Sequence, residues 1–494
     1  MTKLSTPDMD GEGIGGTVNI KTKGPFDHDG YAASFKVQGI YSALSGKMGS
    51  KFNGAVSPVT ADGKIGLLVA PTWQVRKFGS YNYENDGWSE ETSESDGNDY
   101  YMLEAVNYRD YVVEWERYGV SAAIEGKPNE VLSLYLRGNY NRFKDTEQRY
   151  RTVIDFTEGD QVALDANSAE FSDLRRFRRD LRDRVKDQNL KALSAGIDLR
   201  NEAWQSDGKL GYSKGHAESP DERQYRFRRN TRDGVFRYSF SDAYDLQIDQ
   251  LGGASIEDPT SCALQRVECT SDSGDETEFD VLLNARYDFN SENPSFVKFG
   301  GAFRSKEKTK EVEAFEYIDG PDSFSFANLA GELGDYPYGF EVPRIDLEAA
   351  RAAFFPNISS FEAERNFEDS ELDDWVSNED VLAGYMMGST TIGATNLMAG
   401  VRVELTKFDT TENRVDLDNE VVLGTESFSR SYTNWLPGVH LRHEFSPNTI
   451  FRASFTKSLA RPSFGDSAAR LASNDDDEEV FLGNPGLEAL ESTN

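Results

Sequence analysis

Two-residue alternation, repeated along most of the chain, is the feature that most limits the fold. In YAASFKVQGIYS (31–42), Ala33, Phe35, Val37 and Tyr41 fall on one side, with Ser34, Lys36, Gln38 and Ser42 on the other. KIGLLVAPTWQVRKF (64–78) gathers Ile65, Leu67, Val69, Trp73 and Val75 on one side. EVLSLYLRGNYNRF (130–143) sets Leu132, Leu134, Leu136 and Tyr140 against Ser133, Arg137, Asn139 and Asn141. Successive side chains of a strand point to opposite faces, so each stretch reads as a strand with one apolar and one polar face. The pattern predicts about thirteen strands.

The links between them are of two kinds. EGKPNE (125–130), NSENPS (290–295) and FSPNT (445–449) are turn-rich and tight. The others are polar and run to roughly 25–75 residues, far beyond ordinary loop length. One covers 79–110; another runs from about Lys306 to Asn378 and holds a helical patch, DLEAARAAFF (346–355). A soluble sandwich has no reason to keep all its long loops at one end. A transmembrane barrel has short turns on one side, long external loops on the other and aromatic girdles at the interfaces. Tyr41, Trp73, Phe78, Tyr140 and Phe143 sit at strand ends as girdle residues would. The fold class expected is therefore all-β, an antiparallel transmembrane β-barrel with its apolar faces in outer-membrane lipid.

Composition agrees with that expectation. Only 37% of the 494 residues are hydrophobic, and no run approaches the roughly 20 apolar residues of a membrane helix. A barrel strand needs only every second residue apolar, so mean hydropathy stays low. The net charge of −33 argues against nucleic acid, whose phosphates are held by Lys and Arg.

Chemistry-bearing residues are sparse, and an enzyme is not expected. His440 and His443 are three apart on a strand, on opposite faces, and cannot chelate one ion together. DMDGEG (8–13) has the acids of a calcium loop, but Asn19 stands where a bidentate Glu is needed. NDDDEEV (474–480) reads as a solvated acidic loop, and LRRFRRDLRDRVKD (174–187) as a charged helical turn. No metal site, phosphate loop, nucleophile elbow or cofactor signature is found. Cys262 and Cys269, the only cysteines, predict a disulfide closing a small external loop; the alternative is a pair of free thiols. Tyr81, Tyr83, Trp88, Tyr100, Tyr101 and Tyr108 crowd one long link among carboxylates and amides. Such faces suit a sugar ring or a cationic ligand, or else they pack the loop against its neighbours. A strongly anionic ferric siderophore fits the acidic loops less well.

Four stretches, in order, resemble the TonB-dependent outer-membrane receptors. TPDMDGEGIGGTVNIKTKGPFD (6–27) is similar to the last piece of that family's N-terminal plug, with Gly13, Gly15 and Gly16 at its glycines and Asn19 in its closing strand. Glycine there permits positive φ and close backbone approach. EDVLAGYMMGSTTIGATNLMAGVRVELT (379–406), NWLPGVHLRHEFSPNTIFRASFTKSLARPSF (434–464) and LGNPGLEALESTN (482–494) resemble successive barrel hairpins, although Ala489 stands where the family commonly has proline. The resemblance implies residues 1–27 as the end of a plug and 28–494 as the N-terminal part of the barrel. About thirteen strands against about 22 implies a chain truncated at both ends, lacking the segment that meets TonB.

What the resemblance implies for function is active uptake across the outer membrane of a Gram-negative bacterium. A scarce nutrient, a small molecule or oligosaccharide, would bind outside, and the periplasmic TonB complex would supply the energy. Part of the family takes up carbohydrates. The other classes consistent with the residues are a passive porin or adhesion barrel and a secreted, acidic, β-rich glycan-binding protein.

Overall fold

A computed structural model describes every residue except 1–3, 19–20, 29, 230, 242–245, 336–340, 418, 469–470 and 475–478. Thirteen long strands follow one another: β1 (Ala32–Ser42), β2 (Lys47–Ser57), β3 (Ile65–Asn85), β4 (Ala105–Gly126), β5 (Leu132–Asp155), β6 (Phe177–Arg200) and β7 (Trp204–Arg229), then β8 (Cys262–Phe289), β9 (Ser295–Ile318), β10 (Trp375–Ile392), β11 (Thr395–Asp416), β12 (Val421–Ser446) and β13 (Thr449–Ala460). A short β14 (Leu490–Thr493) follows. Each pairs with its neighbour in sequence, giving an antiparallel meander with β1 and β14 at its ends. Among the described residues no ladder joins those two ends.

The links alternate largely as the sequence implies, except that 43–46 and 417–420, at the end that carries the long links, are also short. Those at 58–64, 127–131, 201–203, 290–294, 393–394 and 447–448 are short and lie at one end of the sheet. The long ones, 86–104, 156–176, 230–261, 319–374 and 461–489, all lie at the other. They carry structure of their own, including a four-stranded sheet from residues 160–252 and a helix, Leu347–Phe354. That helix begins where Asp346 accepts a hydrogen bond from the Ala349 amide at 2.8 Å, an N-cap on the expected helical patch.

Burial is inverted relative to a water-soluble sheet. On β11, Leu405 is 50% exposed while its neighbour Glu404 is 0% exposed. Leu134 and Leu136 of β5, Leu193 and Ile197 of β6, and Phe451 and Phe455 of β13 are likewise bare. A continuous exposed apolar face needs an apolar solvent, so it faces lipid and the polar face lines a lumen.

On β4–β9 that apolar face is bare only near the short turns. Further along β6, Phe177 and Leu181 lie on the same face as Leu193 but are fully buried. There Tyr225, Phe227 and Val267 join Phe324, Phe326, Phe354 and Phe361 of the 319–374 link in one apolar cluster. Arg351 of the helix donates to Asp183 of β6 at 2.7 Å, and Arg344 pairs with Asp110 of β4. The long links thus cover the outer face where it leaves the membrane and meets water.

Three expectations are corrected. First, 79–110 and 306–378 are not wholly loop: β3 runs to Asn85, β4 starts at Ala105, β9 runs to Ile318 and β10 starts at Trp375. A tilted membrane strand needs only ~9–11 residues, so these strands protrude well beyond the bilayer.

Second, 174–187 is no helical turn, because most of it is the start of β6. Its charges alternate to meet those of β5 across the ladder. Asp180 lies 2.6 Å from Arg151, Arg182 2.5 Å from Glu147, and Arg184 3.2 Å from Glu147.

Third, Cys262 and Cys269 do not form a disulfide; both thiols are free. They lie on one strand, β8. Seven residues of strand at ~3.3 Å each separate them by roughly 23 Å, where a disulfide spans about 4.4–6.8 Å between Cα atoms.

Candidate functional site

The opening acidic, glycine-rich stretch lies against the polar face of β9–β13. Its acids are placed at every second residue, and each meets a cation from the wall. Lys298 of β9 donates to Asp8 at 2.6 Å; Arg304, also of β9, donates to Asp10 at 3.2 Å and to Glu12 at 3.3 Å. These acids form ion pairs with the sheet.

The backbone of the same stretch joins the sheet. Gly13 N–H donates to the Leu459 carbonyl at 3.1 Å, and Leu459 N–H donates to the Gly11 carbonyl at 2.9 Å. Gly11 N–H donates to the Glu404 carboxylate at 3.1 Å. A Cβ at residue 11 would stand 2.5 Å from Leu436 Cδ1, so a larger residue there must displace that side chain or the stretch itself. Gly13 and Gly16 hold φ of 153° and 116°, positive values open to glycine, whereas Gly15 has free space around it. Asn19 lies outside the described residues.

Beneath the stretch is a cluster of wall residues that sequence reading left without a role. Arg461 lies 2.6 Å from Glu404, 3.5 Å from Glu12 and 3.7 Å from Glu379; Arg402 lies 2.5 Å from Glu404. The signal was present in GVRVELT and LARPSF, where Arg402, Glu404 and Arg461 break the polar face with charges. Farther on, the segment reaches the opposite end of the sheet. Pro25 packs on Gly66 of β3, and Lys127 sits 4.4 Å over the Phe26 ring. One short segment therefore ties the polar faces of β3 and β9–β13 together.

The external aromatics are dispersed. Tyr81, Tyr83 and Tyr100 are half-buried and pack on the apolar cluster that includes Tyr108. Tyr100 also donates to Asp96 at 2.8 Å. Trp88 is partly exposed, with its ring 5.5 Å from Phe240, and Tyr101 is 65% exposed. Of the aromatic candidates, Trp88 and Tyr101 present the most surface to solvent, and they share the hairpin of Trp88–Thr92 and Asp99–Leu103.

Inverted burial, one-sided long links and a polar lumen define an outer-membrane β-barrel architecture. Residues 356–492, spanning β10–β14, match the sequence model of the Outer membrane protein beta-barrel family. No curated protein matches the chain. The chain is an all-β outer-membrane protein of a Gram-negative bacterium.

Proposed function

We propose that this chain is part of a TonB-dependent active transporter, with residues 1–27 as the end of its plug and 28–494 as barrel wall. The observation that carries the reading is the docking of residues 8–13 inside the lumen by backbone hydrogen bonds and paired charges. A passive pore does not require a segment docked in its lumen. A gated transporter needs one, held by contacts that a pulling force can break in sequence.

On this reading a non-anionic nutrient, with carbohydrate as the leading class, enters from the external side. The periplasmic TonB complex draws on the chain N-terminal to the docked stretch. The test is uptake of radiolabelled oligosaccharide by a Gram-negative host carrying the full gene, with and without TonB. Uptake that disappears when TonB is removed or the proton gradient is collapsed is the expected result. Uptake indifferent to both would mean a passive porin.

A further inference from the structure

We propose that a cavity of about 420 Å³ at the external ends of β6–β9 is a binding site for a neutral, polyhydroxylated ligand of sugar size. Its role in transport rests on the reading above; the binding itself does not. The volume lies within the roughly 300–1,000 Å³ of small-molecule sites.

The wall is charged, yet its charges are already matched. Arg182 and Arg184 both hold Glu147, at 2.5 and 3.2 Å. Arg226 lies 3.1 Å from Glu268, and Lys310 is paired with Asp373. Glu222 lies 3.7 Å from Arg182 and Glu316 3.7 Å from Arg266, and Lys186, Asp272 and Asp369 complete the charged lining. An anionic or cationic ligand would have to separate pairs that are largely buried, stranding one partner without water. A neutral polyol exacts no such loss, because its hydroxyls both donate and accept and can bridge paired ions.

Of the wall's buried donors left without a hydrogen-bond partner, which include the Nε of Arg182 and of Arg184, one is neutral. Gln224 is 6% exposed and lines the cavity. Its Oε1 accepts from Arg149 at 3.0 Å, which fixes the orientation of the amide. Its Nε2 is buried with no partner. A buried donor left unmade is costly, and a ligand oxygen in the cavity would satisfy it.

The experiment is calorimetric titration of the purified, detergent-solubilised protein with neutral malto-, xylo- and cello-oligosaccharides, a polyuronate and a ferric hydroxamate. Binding is expected for at least one neutral oligosaccharide. Gln224→Glu keeps the acceptor for Arg149 but loses the free N–H₂, and Gln224→Met removes both groups. Each should weaken that binding at least tenfold, while Glu292→Gln in the short 290–294 link changes it less than twofold. Heat-modifiable migration checks that each variant is folded. Binding by the charged probes alone, by none, or with unchanged affinity in both Gln224 variants overturns the proposal. TonB-independent uptake with Gln224-dependent binding would instead sink the transporter reading and leave the site standing.

Discussion

Arg461, just past the end of β13, lies 2.6 Å from Glu404 of β11, and the side chains are 3% and 0% exposed. The pair bridges over β12 and holds the floor on which the N-terminal stretch lies. Glu404 also accepts from the Gly11 amide, so one carboxylate serves both wall and segment.

Removing one member weakens the hold on the other without stranding it, because Glu404 keeps Arg402 and Arg461 keeps Glu12 and Glu379. Arg461→Met or Glu404→Gln should therefore cost less than the roughly 3–5 kcal/mol of a buried pair whose remaining charge is left uncompensated. The double variant should cost less than the sum of the two. Urea unfolding of the detergent-solubilised protein measures all three, and strictly additive losses would show that the two side chains are not coupled.

Gly11 offers a way to free the segment without touching a charge. A side chain there meets Leu436 Cδ1 at 2.5 Å and Glu404 Oε2 at 2.9 Å. Gly11→Val should therefore lift residues 5–13 off the wall at a cost of about 1–3 kcal/mol, the scale of overpacking. Limited proteolysis should cut within residues 4–18 of the variant while the barrel stays heat-modifiable. An uncut segment would mean that the ion pairs alone hold it.

Much of the meander was legible because lipid-facing strands keep a two-residue period, and DLEAARAAFF was legible as a helix. Strand length was not legible. Arg178, Asp180, Arg182 and Arg184 look like a solvated charge run, and only the facing Glu147 and Arg151 of β5 make them a strand. A register shift between Ser219 and Glu222 changes the phase of β7. Tyr212 and Tyr225 share the outer face although one is even-numbered and the other odd. The floor of the candidate site was missed for a related reason: Glu12, Glu379, Glu404 and Arg461 are distant in sequence and meet only when β10–β13 are side by side.

The membrane face can be tested one residue at a time. Leu134 is 42% exposed on the apolar side of β5, and Ser133 faces the lumen beside it. Leu134→Arg should cost up to about 2–4 kcal/mol, the midplane value, and Leu67→Arg and Val69→Arg should act alike. Ser133→Arg should cost much less. Folding titrations into lipid vesicles would compare them, and equal losses at 133 and 134 would contradict the assignment of faces.

Asp374, at the external foot of β10, gives a pH signature outside the membrane. Burial, followed by repulsion from Glu371, Glu311 and Glu313, pushes its carboxyl up to about 6, against the opposing effect of the Val312 N–H that it accepts at 2.7 Å. An unfolded aspartate titrates near ~3.9. Between about pH 4 and 6 the folded state therefore binds the extra proton, and this site favours folding as pH falls through that window. Above about 6 the carboxylate is charged in both states and its penalty on the folded form is fully present. Asp374→Asn keeps an acceptor for Val312 and removes the charge. It should raise the urea midpoint at pH 7.5, and the gain should fade toward pH 4. Hydrogen exchange at residues 310–314 should show the same trend locally. A gain that is constant with pH, or that grows on acidification, would show that Asp374 is not held above its ordinary range.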